Sequence, residues 1–285
     1  MEARIARSLG EVDAAEWNAL PGAECPFLRH EFLRALETTG CATPDTGWDA
    51  HHVLLRSGDG RLVGALPLYL KSHSWGEFVF DFPWAEAYHR AGLPYYPRLV
   101  SAVPFTPATG PRLLADGETA RSALLEAVRA LRLALDASSL HVLFPNDRDR
   151  RYLESERLMT RLDCQYHWRN EGYRSFDDFL AGFTAEKRKK LRRERRRVAE
   201  SGITCRTLRG GELDEAMIEV IFRLHAATFA RHGNAPYLNH AFFAELARRM
   251  PDSLVVELAS LDGQPVACAI LLRGADTLYG RYWGA

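Results

Sequence analysis

Apolar positions along the chain recur at two spacings, helical and alternating, with turn signals between them. Residues 3–9 read as a short strand and 13–20 as a helix. Residues 26–39 read as a second helix, because Phe27, Leu28, Phe32, Leu33 and Leu36 fall at helical spacing. Two apolar runs, 52–56 and 62–70, flank Ser57-Gly58-Asp59-Gly60, which is a hairpin signal. Residues 76–82 predict another strand, and 83–112 a long loop rich in aromatic residues, Pro and Gly. Within 113–135 a helix puts Leu124, Leu125, Val128, Leu131 and Leu135 on one face. Residues 140–144 form a short β-rich run, and a strand and loop lead on to Gly172.

Further along, Ser175-Phe176-Asp177-Asp178 fits a capping box that starts a short helix ending near Phe183. Thr184 suits the N-cap of a very basic helix, which Ser201-Gly202 closes. A strand over 203–208 precedes an amphipathic helix with the stripe Leu213, Ala216, Met217, Val220, Ile221 and Leu224. Asn239 caps a helix that Pro251 ends. A hairpin follows, over 254–259 and 265–272, and then a strand over 277–283.

Two parts of this layout are alike. Pro26-Phe27-Leu28-Arg29-His30-Glu31-Phe32-Leu33 returns 210 residues later as Pro236-Tyr237-Leu238-Asn239-His240-Ala241-Phe242-Phe243. Each copy precedes an Asp-Gly turn between apolar runs, Asp59-Gly60 and Asp262-Gly263. Upstream, Arg7-Ser8-Leu9 with Gly10-Glu11-Val12-Asp13 resembles Arg206-Thr207-Leu208 with Gly211-Glu212-Leu213-Asp214. Three matches in one order indicate a duplicated domain. The expected division is 1–172, a basic helical connector over 173–202, and a second copy over 203–285 that stops soon after its hairpin. The module is α/β (α+β in its arrangement) with a mostly antiparallel sheet, since strict βαβ alternation is lacking.

Bulk properties narrow the setting. The apolar fraction of 47% and charged fraction of 26% are those of a soluble globular protein. No apolar stretch nears the roughly 18 residues that cross a bilayer, and the N-terminus has no signal-peptide pattern. Cys25, Cys41, Cys164, Cys205 and Cys268 are scattered, with no C-x-x-C pair, so neither a disulfide framework nor a zinc or other metal site is expected. A cytoplasmic location is the expectation. The net charge of zero conceals an asymmetry: nine cations and one acid lie between Lys187 and Arg197. Without them, 28 basic residues face 36 acidic ones, a body of about −8.

Several strings are specific enough to carry a resemblance. They are Pro67-Leu68-Tyr69-Leu70-Lys71-Ser72-His73-Ser74, Gly76-Glu77-Phe78-Val79-Phe80-Asp81, Tyr95-Tyr96-Pro97 and Val103-Pro104-Phe105-Thr106-Pro107. Gly110-Pro111-Arg112, His167-Trp168-Arg169-Asn170, the basic run and Leu278-Tyr279-Gly280-Arg281-Tyr282-Trp283-Gly284 join them. With them the protein resembles the FemAB-like family of tandem GNAT-fold acyltransferases, in its peptidoglycan biosynthesis or recognition branch. The resemblance implies two tandem GNAT-like domains, the second incomplete, with truncation at the C-terminus relative to the family's usual members. It also implies transfer of an aminoacyl or acyl group to an amine, such as that of a peptidoglycan precursor. No permanently bound cofactor is implied; aminoacyl-tRNA is the expected acyl donor. An acyl-CoA-dependent N-acyltransferase and a non-catalytic module recognising a cell-wall precursor or RNA are the alternatives.

Such a transfer needs a deprotonated amine, an oxyanion donor and alignment, but no nucleophilic residue. Candidate bases are Asp81, Glu77 and His73. Around them, Lys71, Trp84, Tyr88, Tyr95, Tyr96 and Arg112 combine ring faces with fixed charges, as a pocket for a polar amine requires. The alternative for each is a packed ring or a surface charge. Trp168 and Arg169 stand at the join between copies and are candidates to line an interdomain cleft. In the basic helix, Lys187, Arg188, Arg192, Arg195 and Arg196 are candidate nucleic-acid contacts, since nine cations along about 16 Å attract phosphate. The competing readings are a solvated helix paired with the acidic body, or peripheral contact with anionic lipid. His30 and His240 occupy equivalent repeat positions, which points to a structural role.

Overall fold

The computed structural model describes residues 1–285. The order of elements begins with β1 (Glu2–Ala6), α1 (Ala14–Asn18) and α2 (His30–Thr38). Four strands follow: β2 (Asp49–Ala50), β3 (His52–Arg56), β4 (Leu62–Leu66) and β5 (Tyr69–Lys71). Next come α3 (Phe82–Arg90), β6 (Arg98–Ser101), β7 (Leu114–Ala115), α4 (Glu118–Ala134), β8 (Leu140–Val142) and α5 (Asp147–Ser155). Two helices, α6 (Phe176–Ala181) and α7 (Ala185–Glu200), lead to β9 (Ile203–Arg209). The last elements are α8 (Glu215–Arg231), α9 (His240–Arg249), β10 (Leu254–Leu261), β11 (Gln264–Arg273) and β12 (Leu278–Gly284).

The strands make three four-stranded sheets, ordered β1-β3-β4-β7, β2-β5-β6-β8 and β12-β11-β10-β9. Every pairing is antiparallel except β6 with β8. A mixed α/β architecture with mostly antiparallel sheets is therefore what the protein forms. The stretches that resemble one another in sequence fold alike: strand, 3-10 turn, two helices, hairpin. Helix starts follow their caps, with Asp13, Ser175, Thr184, Asp214 and Asn239 each accepting a first-turn backbone N–H.

The two copies of the repeated motif pack on each other. Phe32 of α2 and Phe242 of α9, equivalent residues, meet edge to face with centroids 5.5 Å apart. Phe27 packs on Tyr279 at 5.0 Å, and Tyr237, the counterpart of Phe27, stacks on Phe105 at 5.1 Å. Asn239 Nδ2 donates to the Thr39 carbonyl at 2.6 Å. A single cluster of 41 buried residues runs from Ala6 to Leu272 and so spans both halves. Each Leu or Phe buried there contributes about 1.5–3 kcal/mol.

Five regions depart from the sequence-based expectations. Residues 76–82 form no strand: Gly76, Phe78 and Phe80 take φ values of 80°, 61° and 48°, which no strand tolerates. The region 83–112 is no continuous loop, because it holds most of α3 and all of β6. After β8 the backbone forms α5, capped by Asn146, rather than a strand. The helix expected over 26–39 begins at His30, and the run 62–70 splits at Pro67 into strands of two different sheets.

Candidate functional site

Neighbouring strands β5 and β6 place Lys71 opposite Arg98, two like charges at one register position. Alone, that pairing is destabilising. The loop between the strands returns two carboxylates to it. Left-handed backbone at Gly76, Phe78 and Phe80 turns the segment so that Glu77 and Asp81 are buried while Phe80 points to solvent. Holding Phe residues at positive φ costs of order 1–3 kcal/mol each, the kind of strain that functional segments retain. Gly76 is required twice over, since a Cβ there would meet the Phe105 ring at 2.5 Å.

Arg98, wholly buried, organises the cluster. Its Nη2 reaches Glu77 Oε2 at 2.6 Å, Asp81 Oδ2 at 2.7 Å and Ser74 Oγ at 2.8 Å. Its Nη1 donates to His141 Nδ1 at 2.6 Å. A guanidinium can only donate, so His141 is the neutral tautomer with its proton on Nε2, facing Ser139 Oγ at 3.0 Å. Burial, aided by Arg98, pushes the His141 imidazole down to about 4. Tyr95 donates to Asp81 Oδ2 at 2.6 Å. Burial pushes the Asp81 carboxyl up, yet hydrogen bonds from Ser74 and Tyr95 and the charge of Arg98 outweigh it and hold it below the usual range.

Glu77 and Lys71 are poised differently. Burial lifts the Glu77 carboxyl to about 7 against the pull of Arg98 and Lys71, and its Oε1 has no protein hydrogen-bond partner. Burial lowers the Lys71 ammonium to about 7. Its Nζ lies 3.6 Å from the Trp48 ring centroid and donates only to the Trp75 carbonyl, at 3.3 Å. Glu77 can therefore take up or give up a proton near neutrality, whereas Asp81 is locked as an anion. His73 sits beside Lys71, with burial lowering its imidazole; Nδ1 accepts from Trp75 N–H at 3.2 Å and Nε2 packs on Gly47.

Thus the structure gathers Lys71, Glu77, Asp81, Tyr95 and Tyr96 into one cluster, with His73 at its edge. Tyr88 borders it through a 5.1 Å edge-to-face contact with Tyr95. Trp84 lies exposed on α3 and does not join. Arg112 faces no groove: it is wholly buried, and donates to the carbonyls of Ala108, Pro111 and Leu143 at 2.8–2.9 Å. Burial lowers its guanidinium to about 10. Trp168 and Arg169 have no bond or ring contact with the cluster. Both are exposed, and Trp168 packs against Tyr173 and Phe179 beside α6. His30 Nε2 bonds the Leu9 carbonyl at 2.8 Å, whereas His240 lies by Glu215 and Glu219, so the equivalent histidines have different partners.

The acids that pair with the basic helix are local ones, in α6 and at its own turns. Among its ion pairs, Arg192 reaches Asp177 of α6, and Lys190–Glu194 and Arg196–Glu200 lie within α7 itself. Arg188 donates to the carbonyls of Ala181 and Phe183, and Lys187 and Arg195 lie over the rings of Phe183 and Phe176. No residue of α7 is buried. No helix is long and apolar enough to cross a membrane, and no group of His, Cys, Asp or Glu is arranged to hold a metal ion.

Arg98, Ser74 and His141 complete the cluster and are missed by motif reasoning. Their signal is a charged or polar residue inside a short apolar strand run, Arg98-Leu99-Val100 and Leu140-His141-Val142. A fourth missed residue is Arg281. It sits where the β11–β12 register slips, so that Ile270 pairs Tyr282 and Leu271 pairs Gly280. This bulge aims Arg281 Nη2 at the Phe105 carbonyl, 2.6 Å away across the seam. Phe105 in turn touches Trp48 at 5.5 Å and packs on Gly76, so the seam adjoins the charge cluster.

Known proteins place this architecture. The chain resembles the structure of FemX, with a TM-score of 0.52, 14% sequence identity, and coverage of 100% of this chain and 80% of that one. At that identity the likeness shows the fold alone. No curated protein sequence matches this one. Residues 8–285 match the family described as FemAB-like, peptidoglycan biosynthesis/recognition. The protein, from its first repeat to its last strand, belongs to the FemAB-like family.

Proposed function

We propose that the protein is a cytoplasmic acyltransferase of the GNAT type that moves an amino acid from aminoacyl-tRNA to an amine of a peptidoglycan precursor. Residues 1–172 and 203–285 are its two GNAT-like halves, joined by the connector 173–202. The observation that carries this reading is the family match across residues 8–285. Glu77, raised to about 7 with one oxygen free of protein partners, is the general base in this reading. The acceptor ammonium gives one proton to solvent, and Glu77 takes a second from its nitrogen as that nitrogen attacks. The freed amine attacks the ester carbonyl, an N–C bond forms, and the C–O bond to the tRNA ribose breaks. The proton then passes from Glu77 to the departing ribose oxygen, with no covalent enzyme intermediate. Arg98 holds Glu77 in place at 2.6 Å, Lys71 adds a second positive charge near it, and the cations of α7 meet the donor's phosphates.

Donor exchange tests this. Labelled amino acid on tRNA, and labelled acyl-CoA, are each offered with a peptidoglycan precursor. Transfer from the charged tRNA alone supports the reading; transfer from acyl-CoA alone replaces the donor. The burial of Glu77 and Asp81 favours one other reading, a recognition module without catalysis. Precursor binding with no transfer from either donor would establish it.

A further inference from the structure

Residues between α5 and α6 have no regular secondary structure, yet they carry two unusually exposed rings, Tyr166 at 97% and Trp168 at 64%. The segment is tied to the body. Gln165 Nε2 donates to the Pro107 carbonyl at 2.6 Å, and Thr109 Oγ1 donates to Gln165 Oε1 at 3.2 Å. Trp168 stacks on Tyr173, with centroids 6.3 Å apart and planes at 28°, and meets the edge of Phe179 at 6.0 Å. From Phe179 the ring row continues to Phe183 at 4.9 Å, and there Lys187 of α7 lies 4.3 Å from the ring centroid. A row of packed rings thus links the exposed Trp168, two residues from the exposed Tyr166, to a helix of nine cations.

We infer that Tyr166, Trp168 and α7 form a platform for the unpaired end of a nucleic-acid strand, bases on the rings and phosphates along the helix. Unpaired nucleotides need this pairing of features, because each base has a free face to stack and each linkage a charge to neutralise. A duplex hides its base faces and gains only the charge. A bilayer is disfavoured by α7 itself: Leu191 and Val198 are its large apolar residues, so it has no apolar stripe to insert. Six of its nine cations are arginine, whose planar fork suits phosphate. The inference rests on the reading of α7 as a donor-RNA contact, and specifies which part of that RNA meets which rings.

The test uses the whole protein and a labelled 12-nucleotide RNA, free and as a blunt duplex, in anisotropy titrations at two salt concentrations. The single strand should bind about tenfold more tightly. Trp168→Ala should weaken it about tenfold and leave duplex binding unchanged, which also shows that the variant folds. Trp168→Phe should restore most of the loss. Equal affinity for strand and duplex, or indifference to Trp168→Ala, would overturn the platform. So would Trp168-dependent binding of phosphatidylglycerol vesicles without strand binding. Trp168-dependent strand binding with no aminoacyl transfer upholds the platform and sinks the transferase reading. Unchanged transfer by Trp168→Ala, with no single-strand preference, does the reverse.

Discussion

The two halves bury polar side chains in opposite ways. After the second hairpin the backbone continues as β12, and Tyr282 from that strand joins Phe229 and Phe243 around His225, with centroids 4.8–5.4 Å away. His225 has no hydrogen-bond partner at either nitrogen, and burial pushes it down to about 4, a neutral ring in an aromatic cage. After the first hairpin the backbone instead leaves its sheet at Pro67, and its loop buries Glu77 and Asp81 against Arg98 and Lys71. One half keeps a regular sheet and an uncharged core. The other gives up a strand and strains two Phe residues to assemble four ionisable groups. A protein tolerates such a departure most readily where function requires it, which is the ground for proposing the first half as the chemical one.

Substitutions at the two centres should separate them most. Arg98→Met leaves both carboxylates buried beside a single ammonium and should lower stability by about 3–5 kcal/mol in urea unfolding. His225→Leu loses no hydrogen bond and should change stability by less than about 1.5 kcal/mol. Similar losses at both would dissolve the distinction.

Glu77 and Lys71 sharpen it further. Glu77→Gln alone leaves Lys71 opposite Arg98 with one fewer anion, while the double change Lys71→Met with Glu77→Gln removes both costs. The double variant should exceed the sum of the singles by about 0.5–3 kcal/mol in a thermodynamic cycle. Strict additivity would show that the two groups do not share their charge.

The pH dependence has opposing parts. His141 and His225 have folded values near 4 against about 6.5 unfolded, so acidification through that window protonates the unfolded state first and lowers stability. Glu77 is raised to about 7, so over about 4.5 to 7 the folded state holds the extra proton and stability falls as pH rises. His141→Gln should flatten the acid-side loss, and Glu77→Gln the loss toward neutrality. Unfolding at pH 5 and pH 7 checks both signs.

The smallest effect on stability should come from α7. Arg188, Arg192, Arg195 and Arg196 changed together to Gln should shift it by less than about 0.5 kcal/mol each, since the helix is exposed.

Periodicity made most of the framework legible. Caps at Ser175, Thr184 and Asn239 and both Asp-Gly hairpins lie where local chemistry puts them. The repeat marked the two helices that pack together through Phe32 and Phe242. The candidate bases were legible as residue types, because Glu77 and Asp81 share a Gly-rich aromatic stretch with Lys71. Their partner Arg98 left only a faint sign, a cation opening a short apolar run, since its burial is decided by the strand opposite it. The left-handed residues Phe78 and Phe80 carry no local sign, so the segment reads as a strand. Arg112 and Trp168 show the converse: one charged residue is locked inside and one large ring is outside, both decided by tertiary contacts.

The central claim is that Glu77 in the first half, and no group in the second half's aromatic cage, moves the proton in an acyl transfer. It is tested most directly by following label from charged tRNA into a peptidoglycan precursor with the wild type, Glu77→Gln and His225→Leu. The account predicts transfer by the wild type, a loss of about 10²–10⁴-fold in Glu77→Gln, and near-wild-type rates in His225→Leu. Equal transfer by Glu77→Gln and the wild type would contradict it.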